Sequence, residues 1–294
     1  MIIVIVGPTG VGKTKLSVEL AKKTNGEIIN ADSTQVYKDL NIATAKVTES
    51  EKCNIPHHLF DIKDITENYT VYDYQKDCRE KINDILKRKK TPILVGGTGL
   101  YIKAALYDYE FSVENKHNDY TKYSNEELYN KALEIDKNIN IHINNRKRIE
   151  RFLDYYLNNN QSLSNKKKSE TIIYNNVIFI GLTTSRDILY ERLNKRVDEM
   201  FEEGLMNEVK TIYKSNIRTK AVMTPIGYKE LFPYLEGKES LENCINLMKQ
   251  KTRKYAKRQY TWFNNQLNIT WFNVNFENFD ETINKVYEYI KSIN

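Results

Sequence analysis

The chain has 294 residues, with 45 Lys and Arg against 39 Asp and Glu and a net charge of +6 at neutral pH. No apolar run approaches the roughly 20 residues a membrane-spanning helix needs, and Cys53, Cys78 and Cys244 fit neither a disulfide framework nor a zinc pattern. These features exclude a membrane span, a disulfide-stapled fold and a structural metal module; they point to a reduced, cytoplasmic protein, long enough for one large α/β domain or a core plus a smaller module, and a monomer is expected.

The first element is a strand, Ile2-Ile3-Val4-Ile5-Val6, too short and without the basic lead of a signal peptide. It runs into Gly7-Pro8-Thr9-Gly10-Val11-Gly12-Lys13-Thr14, a complete G-x-x-x-x-G-K-T phosphate loop, and then into the helical pattern of Leu16, Leu20 and Ala21. Strand, loop and helix in that order are the context the motif requires. Glycines let successive backbone N–H groups point at phosphate oxygens, and the helix N-terminus behind them adds partial positive charge. Lys13 is suited to neutralise a terminal phosphate and the Thr14 hydroxyl to ligate Mg²⁺. The chain therefore reads as a binder of a polyphosphate.

A second strand is expected at residues 27–31, ending at Asp32. An amphipathic helix follows to about residue 90, carried by Val71, Tyr74, Cys78, Ile82 and Ile85. Its closing run Lys87-Arg88-Lys89-Lys90 complements the helix dipole. Residues 92–95 form a buried strand that breaks at Gly96-Gly97, with a helix over about 100–106. Continuously apolar strands alternating with helices imply a parallel sheet with helices on both faces. From 109 to 176 the texture changes: a polar loop (111–123), a helix to about 136 announced by the capping box Ser124-x-x-Glu127, a helix over about 144–157, then coil containing Lys166-Lys167-Lys168. This stretch reads as an all-helical insertion between core segments 1–108 and 177–294. The core resumes with a strand from Val177. A helix over about 185–203 ends at Gly204, a long basic helix spans about 240–263, and a strand at 269–274 precedes a final helix.

Several residues carry candidate chemistry. Asp32 stands at the carboxyl end of its strand, where open α/β sheets bind ligands, followed by the hydrogen-bonding Ser33, Thr34 and Gln35. A carboxylate facing the phosphate loop suits a general base; the alternative is a cap for the next turn. Gly96-Gly97-Thr98-Gly99 ends the third strand without the acid that many ATPases place there, leaving Thr98 as a site hydroxyl or as part of a tight turn. Arg192 and Arg196 share a helix face from which either could clamp a leaving phosphate. His57 and His58 have no partner at recognisable spacing and read as structural. Lys249, Lys251, Arg253, Lys254, Lys257 and Arg258 put six cations into ten residues beside Tyr255, Tyr260, Trp262 and Phe263, and Arg146, Lys147, Arg148 and Arg151 form a second group. Pairs such as Arg253 and Lys257, four apart with aromatics alongside, suit RNA.

Several motifs together resemble the tRNA dimethylallyltransferases, also called tRNA isopentenyltransferases. They are the phosphate loop, Asp32-Ser33-x-x-x-Tyr37-Lys38, Ala43-Thr44-Ala45-Lys46, Pro56-His57-His58-Leu59 and Leu94-Val95-Gly96-Gly97-Thr98-Gly99-Leu100-Tyr101. Arg196-Val197-Asp198-x-Met200, Gly204-Leu205, Gly227-Tyr228-Lys229-Glu230 and the run from Thr252 to Phe263 complete the set. The resemblance implies a P-loop NTPase-like fold and transfer of a dimethylallyl group from its diphosphate to N6 of adenosine 37, just 3′ of the anticodon. The phosphate loop, Gly7 to Thr14, would hold the diphosphate. Lys13, Thr14 with Mg²⁺ and Arg196 would neutralise the leaving group, and Asp32 would accept the amine hydrogen. Asp32 to Gln35 and Thr98 would line the tRNA side, while Lys147, Arg148, Ile149, Glu150 and Arg151 would grip the anticodon stem-loop.

Two departures stand out. The family's His-Pro-Asn-Asp stretch is His142-Ile143-Asn144-Asn145 here, so the following helix is expected to start differently. The Cys/His zinc module of eukaryotic relatives is missing, which suggests a bacterial-type enzyme. The rival readings are a small-molecule or nucleoside kinase, which needs neither the insertion nor the basic helix, and a non-enzymatic RNA-binding module, which needs no phosphate loop.

Overall fold

Six strands form one wholly parallel sheet in the order β3-β2-β4-β1-β5-β6. In chain order the elements are β1 (Ile2–Val6), α1 (Lys13–Thr24), β2 (Gly26–Asn30), α2 (Glu49–Lys52), β3 (His57–His58), α3 (Val71–Lys87), β4 (Thr91–Val95), α4 (Gly99–Leu106), α5 (Asn125–Ile135), α6 (Arg146–Asn159), β5 (Val177–Thr183), α7 (Arg186–Glu202), α8 (Leu205–Lys214), α9 (Lys220–Met223), α10 (Tyr228–Leu235), α11 (Leu241–Gln266), β6 (Thr270–Asn273) and α12 (Phe279–Ser292). The computed structural model describes residues 1–111, 118–162 and 171–293. Residues 112–117 of the expected polar loop and the Lys166-Lys167-Lys168 run lie outside the described residues.

β1 is buried over its whole length and sits between β4 and β5, with Val4 in register with Leu94 and Phe179. A strand with a neighbour on each side and covered faces has no polar position, which is why its sequence does not alternate. After β1 the chain builds outward through β2 and β3, returns to β4, then crosses to β5 and β6. The carboxyl end of β1 is thus where strand order reverses, and that is where open α/β sheets bind ligands. Three segments converge there: the phosphate loop after β1, Asp32 to Gln35 after β2, and Gly96 to Gly99 after β4. Ile3, Ile5, Leu16, Leu20, Ile180, Leu193, Phe279 and Val286 belong to the apolar core that fixes α1, α7 and α12 on the sheet.

Two compact units are present: residues 1–106 with 172–294, and residues 107–171. Among its described residues the second has helical secondary structure. α5 begins in the capping box, Ser124 accepting from the Glu127 N–H and the Glu127 carboxylate from the Ser124 N–H. Leu128, Ala132, Ile139, Ile149, Phe152 and Leu153 form its core. α6 starts at Arg146; its cap, Asn145, makes no side-chain hydrogen bond, and the His142 ring nitrogen instead accepts the Asn144 N–H at 3.2 Å.

Five elements depart from the sequence expectation. β3 has two residues, both histidine, and so no hydrophobic pattern to read; His58 is held by the buried Glu27 carboxylate at 2.7 Å. α2 is a single capped turn. α8, α9 and α10 fill the interval between Gly204 and Ser240 that the sequence reading left without elements. α8 does carry a helical period in Leu205, Val209 and Ile212, but α10 contains Pro233 and follows Gly227 at φ 137°, both ordinary signs of a chain break.

Candidate active site

Gly7, Gly10 and Gly12 of the phosphate loop hold φ of 139°, 85° and 90°, a backbone that glycine adopts without strain. A Cβ on Gly12 would lie 2.6 Å from the Phe279 ring, so α12 packs directly on the loop. The Val11 side chain is in the core, and Pro8 has no N–H, so the donors available to an anion are later amides of the turn. The Lys13 ammonium folds back on the loop and donates to the carbonyls of Gly7 (3.0 Å) and Pro8 (2.8 Å). Burial pushes its pKa down to about 8; Asp32 acts to raise it and Arg196 to lower it further. Arg196 lies 3.5 Å from the Thr9 hydroxyl, and Arg192 donates to the Gly10 carbonyl at 3.3 Å while its guanidinium covers the Phe276 ring.

Across the crevice, Asp32 Oδ1 accepts from the Thr34 N–H (3.0 Å) and hydroxyl (2.7 Å). The turn-capping arrangement expected as an alternative is therefore real, yet it uses one carboxylate oxygen. Oδ2 has no hydrogen-bond partner among the described residues, so both roles are compatible. The Thr98 hydroxyl accepts from the Ser33 N–H at 3.0 Å and donates to the Ser33 hydroxyl at 3.2 Å. It is not among the residues lining the cavity; it holds the turn after Asp32. Gln35 donates to the carbonyls of Thr44 and Ala45 at 2.9 and 3.1 Å, joining this turn to the 41–46 loop. That loop is fixed from α8: the Glu208 carboxylate accepts the N–H groups of Asn41, Ile42 and Ala43 at 2.8 to 3.1 Å and the Tyr228 hydroxyl at 2.8 Å.

The glycines after β4 have a steric cause. A Cβ on Gly96 would meet the Ala31 backbone at 2.2 Å, one on Gly97 the Gln259 amide at 2.0 Å, and one on Gly99 the Trp262 ring at 2.0 Å. α11 thus lies against the loop where many ATPases carry an acid. The three segments and α11 enclose a cavity of about 610 Å³ lined by Lys13, Thr14, Asp32, Gln35, Arg196 and Tyr255, among others. Burial, with the charge of Asp32 adding to it, pushes the Tyr255 pKa up, keeping the phenol neutral.

The basic helices divide more finely than spacing suggested. On α11, Lys249 pairs with Asp198 (2.6 Å) and Lys251 with Glu230 (2.9 Å), while Arg253 donates to Asn194 (2.5 Å). Arg253 is therefore bound to α7, and the exposed cations are Lys254, Lys257 and Arg258. On α6, Lys147, Arg148 and Arg151 are exposed, and Glu150 pairs with Arg146 at 2.7 Å. Ile149 is fully buried; its expected place on an RNA-facing surface is corrected, because the side chain is part of the core of this unit. Sequence reasoning missed Gln259, Tyr255 and Glu208. Only Tyr255 had been noticed, as an aromatic beside the cations.

Thr14 is exposed at the cavity, and its hydroxyl and Asp32 are hard oxygen donors. Among the described residues no group of three His, Cys, Asp or Glu side chains could hold a metal by itself. A divalent cation here would take its remaining ligands from phosphate and water, which suits a small, hard ion; the residues fit such a group.

Comparison with known proteins gives the family. The IPP transferase family matches residues 35–266. The tRNA dimethylallyltransferase of Anoxybacillus flavithermus is 44% identical over 299 residues, covering 99% of this chain and 96% of the relative. The crystal structure of the full-length tRNA isopentenylpyrophosphate transferase of Bacillus halodurans superimposes with a TM-score of 0.77 at 41% identity, covering 99% of this chain and 95% of that one. A eukaryotic dimethylallyltransferase acting on tRNA gives a TM-score of 0.81 at 35% identity, covering 92% and 73%. Matched along nearly all of its length, and with the parallel sheet and phosphate loop in place, the chain belongs to the IPP transferase family of tRNA dimethylallyltransferases.

Proposed function

We propose that the protein transfers a dimethylallyl group from dimethylallyl diphosphate to N6 of adenosine 37 in tRNA, in the cytoplasm, releasing pyrophosphate. The observation that carries this reading is the placement of Lys13 and Asp32 on one cavity, with glycine where an ATPase would have its acid. In the reaction the N6–C1 bond forms as the C1–O bond to the diphosphate breaks, and the proton on N6 passes to Asp32.

The exocyclic amine is a poor nucleophile, so the departing diphosphate must be stabilised as its charge develops. Lys13 leaves its two loop carbonyls for the diphosphate, and the loop amides and Arg196 add donors. Thr14, with diphosphate oxygens, would hold Mg²⁺, which supplies further charge neutralisation. Asp32 Oδ2 orients N6 for in-line attack and takes its hydrogen, while Oδ1 stays in the turn. Ser33 to Gln35 line the base side, with Thr98 holding Ser33. A base stacked in the anticodon loop cannot reach this cavity, so adenosine 37 is flipped out. Lys147, Arg148 and Arg151 on α6, and Lys254, Lys257 and Arg258 on α11, contact tRNA phosphates.

The test incubates the protein with unmodified tRNA, Mg²⁺ and radiolabelled dimethylallyl diphosphate, then digests the RNA. Label on N6 of the adenosine beside the anticodon is expected. No transfer to any adenosine-37 tRNA, with the γ-phosphate of ATP passing to a small acceptor instead, would replace this reading by a kinase, which the family relatives do not favour.

A further inference from the structure

Gln259 sits in the last third of α11 and is only 5% exposed, yet both ends of its amide leave the helix. Oε1 accepts the Thr9 N–H of the phosphate loop at 2.9 Å, and Nε2 donates to the Gly97 carbonyl after β4 at 3.2 Å. Thr9 N–H can only donate and Gly97 C=O can only accept, so the amide orientation is fixed by its partners. Few side chains offer one donor and one acceptor at this reach. Gly97 belongs to the fit, since a Cβ there would come within 2.0 Å of Nε2 and 3.2 Å of the Gln259 Cδ, whereas Asp32 Oδ2, at 3.6 Å, is at ordinary contact.

We propose that Gln259 is a positioning residue that sets the separation between the loop holding the diphosphate and the loop backing the acceptor base. The inference rests on the prenyl-transfer reading above. The amide is hydrogen-bonded to both loops and so spans the gap between them. In-line attack depends on that separation, and a displacement of about 1 Å can lower a rate by roughly 10²-fold. Gln259→Ala leaves Thr9 N–H and Gly97 C=O without this partner. Gln259→Glu keeps an acceptor for Thr9 but sets a carboxylate against the Gly97 carbonyl.

The experiment measures single-turnover prenylation and tRNA affinity for Gln259→Ala, Gln259→Glu, Gly97→Ala and the double variant Gln259→Ala/Gly97→Ala. Each single variant is expected to lose about 10- to 10²-fold in single-turnover rate with tRNA affinity within about twofold. In the Gln259→Ala background, Gly97→Ala is expected to cost nothing further, because the atom it strikes is gone. That non-additivity would show that the two residues act through one contact, and loss of rate with tRNA affinity kept is what a merely structural role would not produce. Wild-type rates in Gln259→Ala, or the same loss from Gly97→Ala in both backgrounds, would overturn the proposal. Calorimetric binding of inorganic pyrophosphate separates this from failure of the prenyl reading, since it needs no acceptor: about five- to tenfold weaker binding by Gln259→Ala is expected, and unchanged binding would remove the bridge.

Discussion

The cavity of one unit and the outer face of α6 in the other present charge in different ways. In the sheet-bearing unit the groups around the cavity are tied: Lys13 to two carbonyls, Asp32 to Thr34, Gln259 to two loops, and Glu208 to three successive amides. In the 107–171 unit the apolar side of α6 holds Ile149, Phe152 and Leu153, and the other side turns Lys147, Arg148 and Arg151 to solvent. A tied group acts through distance and direction, so small displacements matter. An exposed cation acts through its field, which tolerates displacement and is screened by salt. Under the proposed function the first arrangement serves the chemistry and the second the hold on a polyanion.

The sharpest attempt to break this contrast is Asp32→Ala, expected to lower single-turnover prenylation by about 10²–10⁴-fold, the scale of a positioned base, with tRNA affinity within a few-fold. A normal rate would take Asp32 out of the chemistry. Lys13→Ala comes next, with dimethylallyl diphosphate binding about 10- to 10²-fold weaker by calorimetry, as for the loss of a charged hydrogen bond. The pH profile refines this. Lys13 loses its proton around pH 8 in the free protein, so pyrophosphate affinity should fall as pH rises through that value. Asp32 favours the charged ammonium, so Asp32→Asn should move this limb to lower pH; a limb that stays in place would uncouple the two groups. The smallest effect belongs to the helical unit. Arg148→Ala with Arg151→Ala should weaken tRNA binding modestly and flatten log K against log salt by about 1 to 2, sparing pyrophosphate affinity. An unchanged slope would show that α6 does not meet phosphate.

How much was legible in the sequence follows from how far apart the partners lie. The phosphate loop, the Asp32 turn and the capping box of α5 are written within a few consecutive residues, and each reads directly. Gln259 could not be read this way, because Thr9 lies 250 residues away and Gly97 162. Its signal was indirect: the glycines at 97 and 99 leave space for α11, and sequence reading took them for a turn. Ile149 was misread for a different reason. It was counted as part of an interval, whereas its spacing to Phe152 and Leu153 marks the apolar stripe of a helix. Arg253 counts as a cation in any composition, and only the fold places Asn194 against it.

Glu208 carries a consequence for the entropy of binding. Three consecutive N–H groups in the 41–43 segment make a concavity of the kind that captures external anions, but α8 fills it with a carboxylate from the same chain. The wall of the cavity is therefore already frozen around a resident counter-ion before any substrate arrives. Ordering that a mobile loop would have to undergo during association has been completed at folding. Glu208→Ala would hand the concavity back to the solvent, where formate or acetate could take the empty seat.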